Sequence, residues 1–189
     1  MLAPLSLDHL IVAAPDLADG VAEFAELSGV QPVRGGSHPG GGTANYLVGL
    51  DVAGDETGRY SSYLEIIGPD PEQDLGPLGT LNLELHTVTE FGLYTWAVHP
   101  DDFDARVAAA EQAGVPVGTV NGSSRQTPSG GRLEWRLTTF APLPLGGGQP
   151  FLIDWMGSPH PSSNPFPRVT LERFEVLSPD VDGTRRVLE

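Results

Sequence analysis

The stretch YLEIIG, residues 63–68, belongs to a repeat that decides the fold. It has the composition of a short buried strand, yet it carries one acid, Glu65, and it ends at a glycine. The stretch LIDWMG, residues 152–157, has the same form, with Asp154 in the place of Glu65. Two strands of one form in distant parts of the chain indicate an internal duplication.

The elements before each of these stretches repeat in the same order. Residues 5–14 predict a strand, residues 15–30 predict a helix that ends near Gly29, and three further strands lead to Gly68. The second set is a strand at 92–100, a helix at 101–115, weak and strong strands at 116–124 and 132–140, a turn at 125–131, and a strand at 150–157. The sequence therefore predicts the order β-α-β-β-β twice.

Aligning the two units gives residue correspondences. With Pro15 set against Pro100, His9 corresponds to Tyr94, and with the two strand-ending glycines matched, Glu65 corresponds to Asp154. A third echo, VTLERFEVLSPDVDG at 169–183, resembles residues 5–20. We expect an α+β fold of paired modules at residues 1–78 and 79–160, with a C-terminal strand extension or partial third module at 161–189.

Composition limits the class of protein. The chain has 189 residues, a net charge of −15, no Cys, and Arg as its only basic residue besides His. Cysteine nucleophiles and lysine Schiff bases are thereby excluded. An acidic surface repels phosphate backbones and anionic lipids, so we expect a small-molecule ligand and no nucleic-acid or membrane partner. Neither a secretory signal nor a long apolar run is evident, which predicts a cytoplasmic protein.

Several quoted segments together carry a family resemblance. They are LDHLIVAAPDL (7–17), HPGGGTANYLVGL (38–50), YLEIIGPDP (63–71), RLEWRL (132–137) and PFLIDW (150–155) with PHP (159–161). This set resembles the vicinal oxygen chelate superfamily of glyoxalases, bleomycin-resistance proteins and extradiol dioxygenases, and most closely its glyoxalase-like domain family. The resemblance implies two modules that enclose a cleft.

The resemblance also implies a metal centre. Its metal-dependent members hold a divalent ion with a His on the first strand and an acid on the fourth strand of each module. Carried over, the ligands are His9, Glu65 and Asp154, while Tyr94 stands where a second His is expected. One imidazole and two carboxylates suit Fe, Zn, Mn, Ni or Co.

The residues themselves give a partly independent argument. Strand alternation places His9, Glu65 and Asp154 each on an otherwise apolar face, where an unpaired carboxylate is unfavourable. A divalent ion would resolve this, and Glu65 would be the catalytic group. Alternatively, His9 donates to Glu65 and Asp154 pairs with an Arg or a backbone N–H, and no metal is required.

Further residues are candidates for binding a substrate. They are His38, Thr43, Asn45, Tyr94, Trp135 and Arg136. All of these except Tyr94 have a plainer interpretation: we expect His38 to be exposed in a glycine-rich turn, and Thr43 and Asn45 can serve as turn residues. Arg136 fits an exposed ion-pair face, with Trp135 in the core. His160, after the last strand, could supply a missing ligand from its loop.

Two functions follow from this sequence. The first is a metal-dependent isomerase, lyase or dioxygenase that acts on a small oxygen-chelating substrate between the modules. The second is a metal-free protein that binds or sequesters a small cationic or aromatic molecule, as bleomycin-resistance proteins do, and Tyr94 in place of a His favours it. The protein is predicted to be a monomer or homodimer.

Overall fold

A computed structural model of the protein describes residues 6–53, 62–73, 82–127 and 130–188. The strands are β1 Ser6–Ala13, β2 Val33–His38, β3 Thr43–Val52, β4 Ser62–Pro69, β5 Gly92–His99, β6 Thr119–Gln126, β7 Arg132–Thr139, β8 Phe151–Asp154 and β9 Arg168–Leu171. The helices are α1 Leu17–Ser28, α2 Phe103–Gln112 and α3 Val181–Leu188. Short 3-10 turns lie at Asn82–Thr87, Pro144–Gly147 and Pro161–Ser163.

The predicted repeat is confirmed by the order of the strands in the sheet. Eight strands follow one path, β2-β3-β4-β1-β5-β8-β7-β6, in which the second half repeats the arrangement of the first. β1 lies parallel to β4 and antiparallel to β5, so it joins the two halves. The α+β fold of two β-α-β-β-β units is therefore present, and the exact module boundaries remain a prediction.

Helix ends in the first unit follow the sequence signals. The Asp16 carboxylate accepts hydrogen bonds from the N–H groups of Ala18 and Asp19, which begins α1. Gly29 ends α1 with a left-handed backbone of φ 71°. The same kind of cap, Asp102 with the N–H of Ala105, begins α2.

The two ends of the sheet, β2 and β6, come close to each other. Gly36 in β2 has φ 144°, and a Cβ atom there would overlap the carbonyl oxygen of Gln126. Beside it, Arg125 donates a hydrogen bond to the carbonyl of Gly35. We call this junction of Gly35 and Gly36 with Arg125 and Gln126 the seam, and it makes the curved sheet nearly closed. The turn predicted at 125–131 begins later than expected, because Arg125 and Gln126 are still part of β6.

The C-terminal segment adds a strand to the first half. β9 pairs in parallel with the second half of β3, and Arg168 Nε lies 2.7 Å from Asp51 Oδ1. The predicted strand extension is thus confirmed, and α3 follows it. Residues 54–61, between β3 and β4, and residues 74–81, in the segment between the two units, fall outside the described residues.

Apolar side chains fill both faces of the sheet. The outer cluster lies beneath α1 and includes Leu10, Val12, Leu17, Val21 and Ile66. The inner cluster includes Ile11, Leu47, Tyr63, Ile67, Trp135, Phe151, Ile153 and Trp155. The inner cluster surrounds a cavity, so the concave face of the sheet carries the candidate site. No helix within the described ranges is both long and apolar enough to span a bilayer.

Candidate functional site

A cavity of about 280 Å³ lies inside the curved sheet. It is close to the lower end of the usual range for small-molecule sites, roughly 300–1,000 Å³. Aromatic and aliphatic side chains line most of it, and the polar side chains on its wall are His9, His38, Asn45, Glu65, Asn121, Ser123, Arg125 and Thr139. Such a mixture of apolar walls and a few polar groups is typical of a ligand site.

Among the described residues, Glu65 is the one acid on the cavity wall. It is 6% exposed and shares its face of β4 with Tyr63 and Ile67, as alternation predicts. Asn45 Nδ2 donates to Glu65 Oε1 over 2.7 Å, and His9 Nε2 lies 3.5 Å from Glu65 Oε2. The Glu65 carboxylate therefore lies between side chains of the two neighbouring strands, Asn45 on β3 and His9 on β1.

His9 is oriented by the residue beside it in sequence. Its Nδ1 lies 2.6 Å from Asp8 Oδ1. Neighbours on a regular strand point to opposite faces, but the register between β1 and β5 shifts between Leu7 and His9. This bulge brings Asp8 and His9 together, a common use of β-bulges next to functional sites. Since a carboxylate accepts hydrogen bonds, Nδ1 is the donor to Asp8, and Nε2 faces Glu65.

Asp8 is a fully buried carboxylate with four hydrogen-bonding neighbours among the described residues. Besides His9, Trp155 Nε1 lies 3.0 Å, His160 Nε2 3.1 Å and His99 Nδ1 3.4 Å from Asp8 Oδ2. Burial alone would raise the pKa of Asp8, but the hydrogen bonds from His160, His9 and His99 hold this pKa well below its usual range. In the same contact, the Asp8 carboxylate raises the pKa of His99.

His38 is the second imidazole of the cavity. Its Nδ1 lies 2.8 Å from Thr43 Oγ1, and its Nε2 lies 3.5 Å from Asn45 Nδ2 and 4.0 Å from Glu65 Oε1. Burial lowers the pKa of His38, outweighing the opposite effect of Glu65. The expected exposure of His38 is wrong, because β2 and β3 carry it inward, where it is 6% exposed. Thr43 is buried and is absent from the cavity wall, so it orients His38, whereas Asn45 lies on the wall.

Asp154 does not join His9 and Glu65, so the prediction that the three face one cleft is wrong. Its Oδ2 accepts a hydrogen bond from Arg136 Nε over 2.8 Å, and its Oδ1 accepts from the N–H of Met156. Those contacts lower the pKa of Asp154 against the opposing effect of burial. The arrangement is the one expected if no metal is required: an Arg and a backbone N–H satisfy the acid.

Asp154 faces outward because the two repeated strands differ in register by one residue. Phe151, Ile153 and Trp155 line the cavity, so the alternating residues between them face outward. Matching Gly157 to Gly68 set Asp154 against Glu65, but β8 ends at Asp154 and Gly157 lies in a turn with φ 80°. A slip of one residue moves every side chain of a strand to the other face.

Three more predicted substrate contacts divide between the two faces. Trp135 lines the cavity, 5.5 Å in ring centroids from Trp155. Arg136 faces outward, where it pairs with Asp104 as well as Asp154 and lies 4.6 Å over the Phe103 ring. Tyr94 packs against the inner cluster but is not part of the cavity wall, and its hydroxyl donates to the carbonyl of Leu83 over 2.7 Å.

Comparison with protein families gives one match that spans almost the whole chain. The glyoxalase-like domain family matches residues 7–189. The chain belongs to the glyoxalase-like domain family. No curated protein matches it significantly.

Solved structures similar to this glyoxalase-like domain share its fold at low identity. A hypothetical protein from Staphylococcus aureus has a TM-score of 0.58 and 20% identity over 82% of this chain, which spans 60% of that protein. A Streptomyces coelicolor methylmalonyl-CoA epimerase variant with 2-nitronate-propionyl-CoA has a TM-score of 0.51 and 20% identity, and the match covers 80% of this chain and 97% of that one. A methylmalonyl-CoA epimerase with methylmalonyl-CoA and NH4+ has a TM-score of 0.51 and 19% identity, and the match covers 84% of this chain and 100% of that one. These likenesses show the vicinal oxygen chelate fold.

The ligand set predicted for a metal does not fit this glyoxalase-like domain. His9 and Glu65 face each other across the cavity wall, but the third ligand, Asp154, is bound to Arg136 on the other face. In the parts of the chain described, no group of three or more His, Asp or Glu side chains is arranged to hold a metal ion. Neither is His160 a ligand from its loop, since its Nε2 faces Asp8.

Two residues of the site were missed by sequence reasoning. Asp8 was overlooked because regular alternation places it opposite His9, and nothing in the sequence marks the bulge. Arg125 was assigned to a turn because its segment is rich in Gly and Ser, which weakens the strand pattern. The alternation of Arg125 with Ser123 and Asn121, all of which line the cavity, is the signal that could have found it.

Proposed function

We propose that this glyoxalase-like domain is an enzyme that moves a proton within a small substrate held in the cavity, an isomerase-type reaction. One observation carries the proposal: Glu65 is nearly buried on the cavity wall, with His9 Nε2 3.5 Å from one oxygen and Asn45 Nδ2 2.7 Å from the other. A positioned carboxylate beside an imidazole is a suitable pair for general acid–base chemistry.

The roles follow from the contacts. Glu65 accepts a proton from a carbon next to a carbonyl group and returns it to the substrate. His9 Nε2 faces Glu65 Oε2, while Asp8 fixes the His9 ring through Nδ1, so the imidazole keeps one nitrogen on the cavity side. The apolar part of the wall lowers the local dielectric constant, which strengthens the electrostatic interactions within the cavity.

A metal ion is a separate prediction and has no part in these steps. His9 and Glu65 remain on the cavity wall as two of the three predicted ligands, and the third is elsewhere. The likeness to epimerases concerns the fold alone, so the choice of isomerisation over lyase or dioxygenase chemistry rests on the arrangement of Glu65 and His9.

The test is exchange of substrate hydrogens with solvent. In D2O, NMR would follow deuterium incorporation next to the carbonyl group of a panel of small 2-oxo acids and thioesters. Wild-type protein should catalyse exchange with one or more of them, and Glu65→Gln should lose roughly 100-fold or more of the rate. Glu134→Gln, on the outer face of β7, is the matched control and should keep the wild-type rate. Exchange at full rate in Glu65→Gln would refute the proposal.

The second candidate is a metal-free binding protein, and the aromatic wall favours it. Trp135, Trp155 and Phe151 present rings to the cavity, and such rings bind aromatic ligands well. A binder would hold a ligand without exchanging its hydrogens, so ligand binding without deuterium incorporation across the panel would favour this function.

A further inference from the structure

Arg125 is a buried cation on the cavity wall. It is 5% exposed, and its hydrogen bond goes to a backbone carbonyl, that of Gly35. Across the described ranges, no carboxylate lies within ion-pair distance of its guanidinium, although Glu65 shares the cavity. Burial lowers the pKa of Arg125, while the proximity of Tyr63 and Glu65 acts in the opposite direction.

Within the described residues, hydrogen bonds satisfy this charge only in part. A guanidinium has five N–H donors in a planar fork, and a neutral carbonyl uses one side of it. Removing a cation from water is unfavourable unless an anion and further hydrogen bonds compensate. The remaining donors of Arg125 are therefore matched to an anionic group that enters the cavity.

The backbone of the seam keeps the guanidinium in this position. A Cβ atom at Gly35 would overlap Arg125 Nη1 and the amide oxygen of Asn45. Glycine at position 35 thus leaves space for both side chains, and the hydrogen bond to its carbonyl anchors the fork beside the cavity. An anchored guanidinium loses little conformational entropy when it binds a carboxylate.

The rest of the wall indicates the body of the ligand. Trp135, Leu137, Phe151, Ile153 and Trp155 supply a large apolar part of the cavity wall. A volume of about 280 Å³ holds a small molecule. The overall charge of −15 would attract cations to the surface, but the local charge at the end of β6 is positive.

We propose that Arg125 binds the carboxylate of a small organic acid whose apolar or aromatic body lies against Trp135 and Trp155. The inference rests on the proposed function, for which it names the substrate class: an anionic carbonyl compound that Arg125 holds while Glu65 exchanges its proton. It assigns to Arg125 the choice of a carboxylate over a neutral or cationic ligand of the same shape.

The experiment compares three probes of similar shape and different charge: phenylacetate, phenylacetamide and benzylamine. Their dissociation constants for wild-type protein, Arg125→Gln and Arg125→Lys are measured by NMR titration. We expect wild-type protein to bind phenylacetate more tightly than either other probe. Arg125→Gln should weaken phenylacetate binding roughly 10- to 100-fold, as expected for a charged hydrogen bond, and leave phenylacetamide within about threefold. Arg136→Gln, on the outer face, should change neither.

The Lys variant and the wild-type comparison protect the test against misfolding of Arg125→Gln, since Arg125 also contributes to the seam. Arg125→Lys should keep part of the preference for the carboxylate. Equal binding of phenylacetate by Arg125→Gln and wild type overturns the proposal, as does tighter binding of benzylamine, or no phenylacetate binding at millimolar concentrations. Glu65→Gln separates the two proposals: it should lose hydrogen exchange but bind phenylacetate at least as tightly, because it removes a negative charge.

Discussion

Asp8 Oδ1 lies 2.6 Å from His9 Nδ1, although the two residues are consecutive in one strand. The β-bulge between β1 and β5 makes this contact possible. It aims Asp8 and His9 into one network, in which Asp8 is the buried acceptor and His9 presents its other nitrogen to Glu65. The arrangement of the site thus depends on a local irregularity of the backbone.

Replacing Asp8 by Asn should destabilise the protein and disturb His9. The variant loses charge-assisted hydrogen bonds from His9, His160 and His99, and we expect the free energy of unfolding to fall by about 2 to 3 kcal/mol at neutral pH. Nitrogen NMR should show that His9 no longer keeps its proton on Nδ1. Urea unfolding gives the stability.

The pH dependence of Asp8→Asn provides a second measurement. Because the pKa of Asp8 is lowered in the folded protein, its contribution is present above the ordinary value of about 3.9 and is lost as the pH falls through the folded pKa. Asp8→Asn should lack that acid-side loss. Asp51→Asn, which removes an exposed pair with Arg168, is the control and should change stability by about 1 kcal/mol or less. Similar effects of the two variants would contradict the role given to Asp8.

His99 should make stability decrease on the alkaline side. Its pKa is raised by the hydrogen bond to Asp8 and, more weakly, by the charges of Asp154 and Asp101. This contribution is fully present below the ordinary His pKa of about 6.5 and is lost as the pH rises through the folded pKa. As the pH rises above about 6.5, urea unfolding midpoints should fall in wild type and fall less in His99→Gln.

His38 provides a check on the sign of that effect. Its pKa is lowered, so its contribution is complete above about 6.5 and decreases as the pH falls below that value. The difference between wild type and His99→Gln isolates the alkaline effect, because His38 is present in both. Parallel pH curves for the two proteins would show that the contact between His99 and Asp8 has no energetic effect.

Much of the fold could be predicted because the repeat is visible in the sequence. The faces of individual strands were harder to assign. Alternation gave the correct neighbours of Glu65, yet the same reasoning placed Asp154 in the cleft, because β8 ends in a turn that the matched glycines conceal. A pattern of period two reports which residues share a face, but tertiary packing decides which face is inward. His38 was assigned to an exposed turn because only the pairing of β2 with β3 carries it inward.

Asp154→Asn should have a small effect that is confined to the outer face. Arg136 keeps its two hydrogen bonds to Asp104, and the pair is partly exposed, so we expect a loss of about 1 kcal/mol or less. If protein purified without chelator holds a metal, this variant should retain as much of it as wild type, because Asp154 is bound to Arg136 on the outer face. Elemental analysis of wild type and variant measures the metal, and its loss in Asp154→Asn would restore Asp154 as a ligand.

Gly36→Ala should open the seam. Its backbone φ of 144° is unfavourable for alanine, and the added Cβ would overlap the Gln126 carbonyl. We expect a destabilisation of about 2 kcal/mol or more, together with weaker phenylacetate binding because Arg125 is displaced. Gly92→Ala is a suitable control, since a Cβ there meets no atom within 4 Å. Equal unfolding midpoints for the two variants would show that β2 and β6 do not need to meet.

The neighbours of Asp8 come from distant parts of the chain: His9 from β1, His99 from the end of β5, and Trp155 and His160 from the segment after β8. One buried carboxylate therefore joins the first repeated unit to the second. Neither unit can open fully without exposing that charge to a new environment and breaking its hydrogen bonds. The duplicated halves should consequently unfold together in a single cooperative transition, even though each has its own helix and its own four strands.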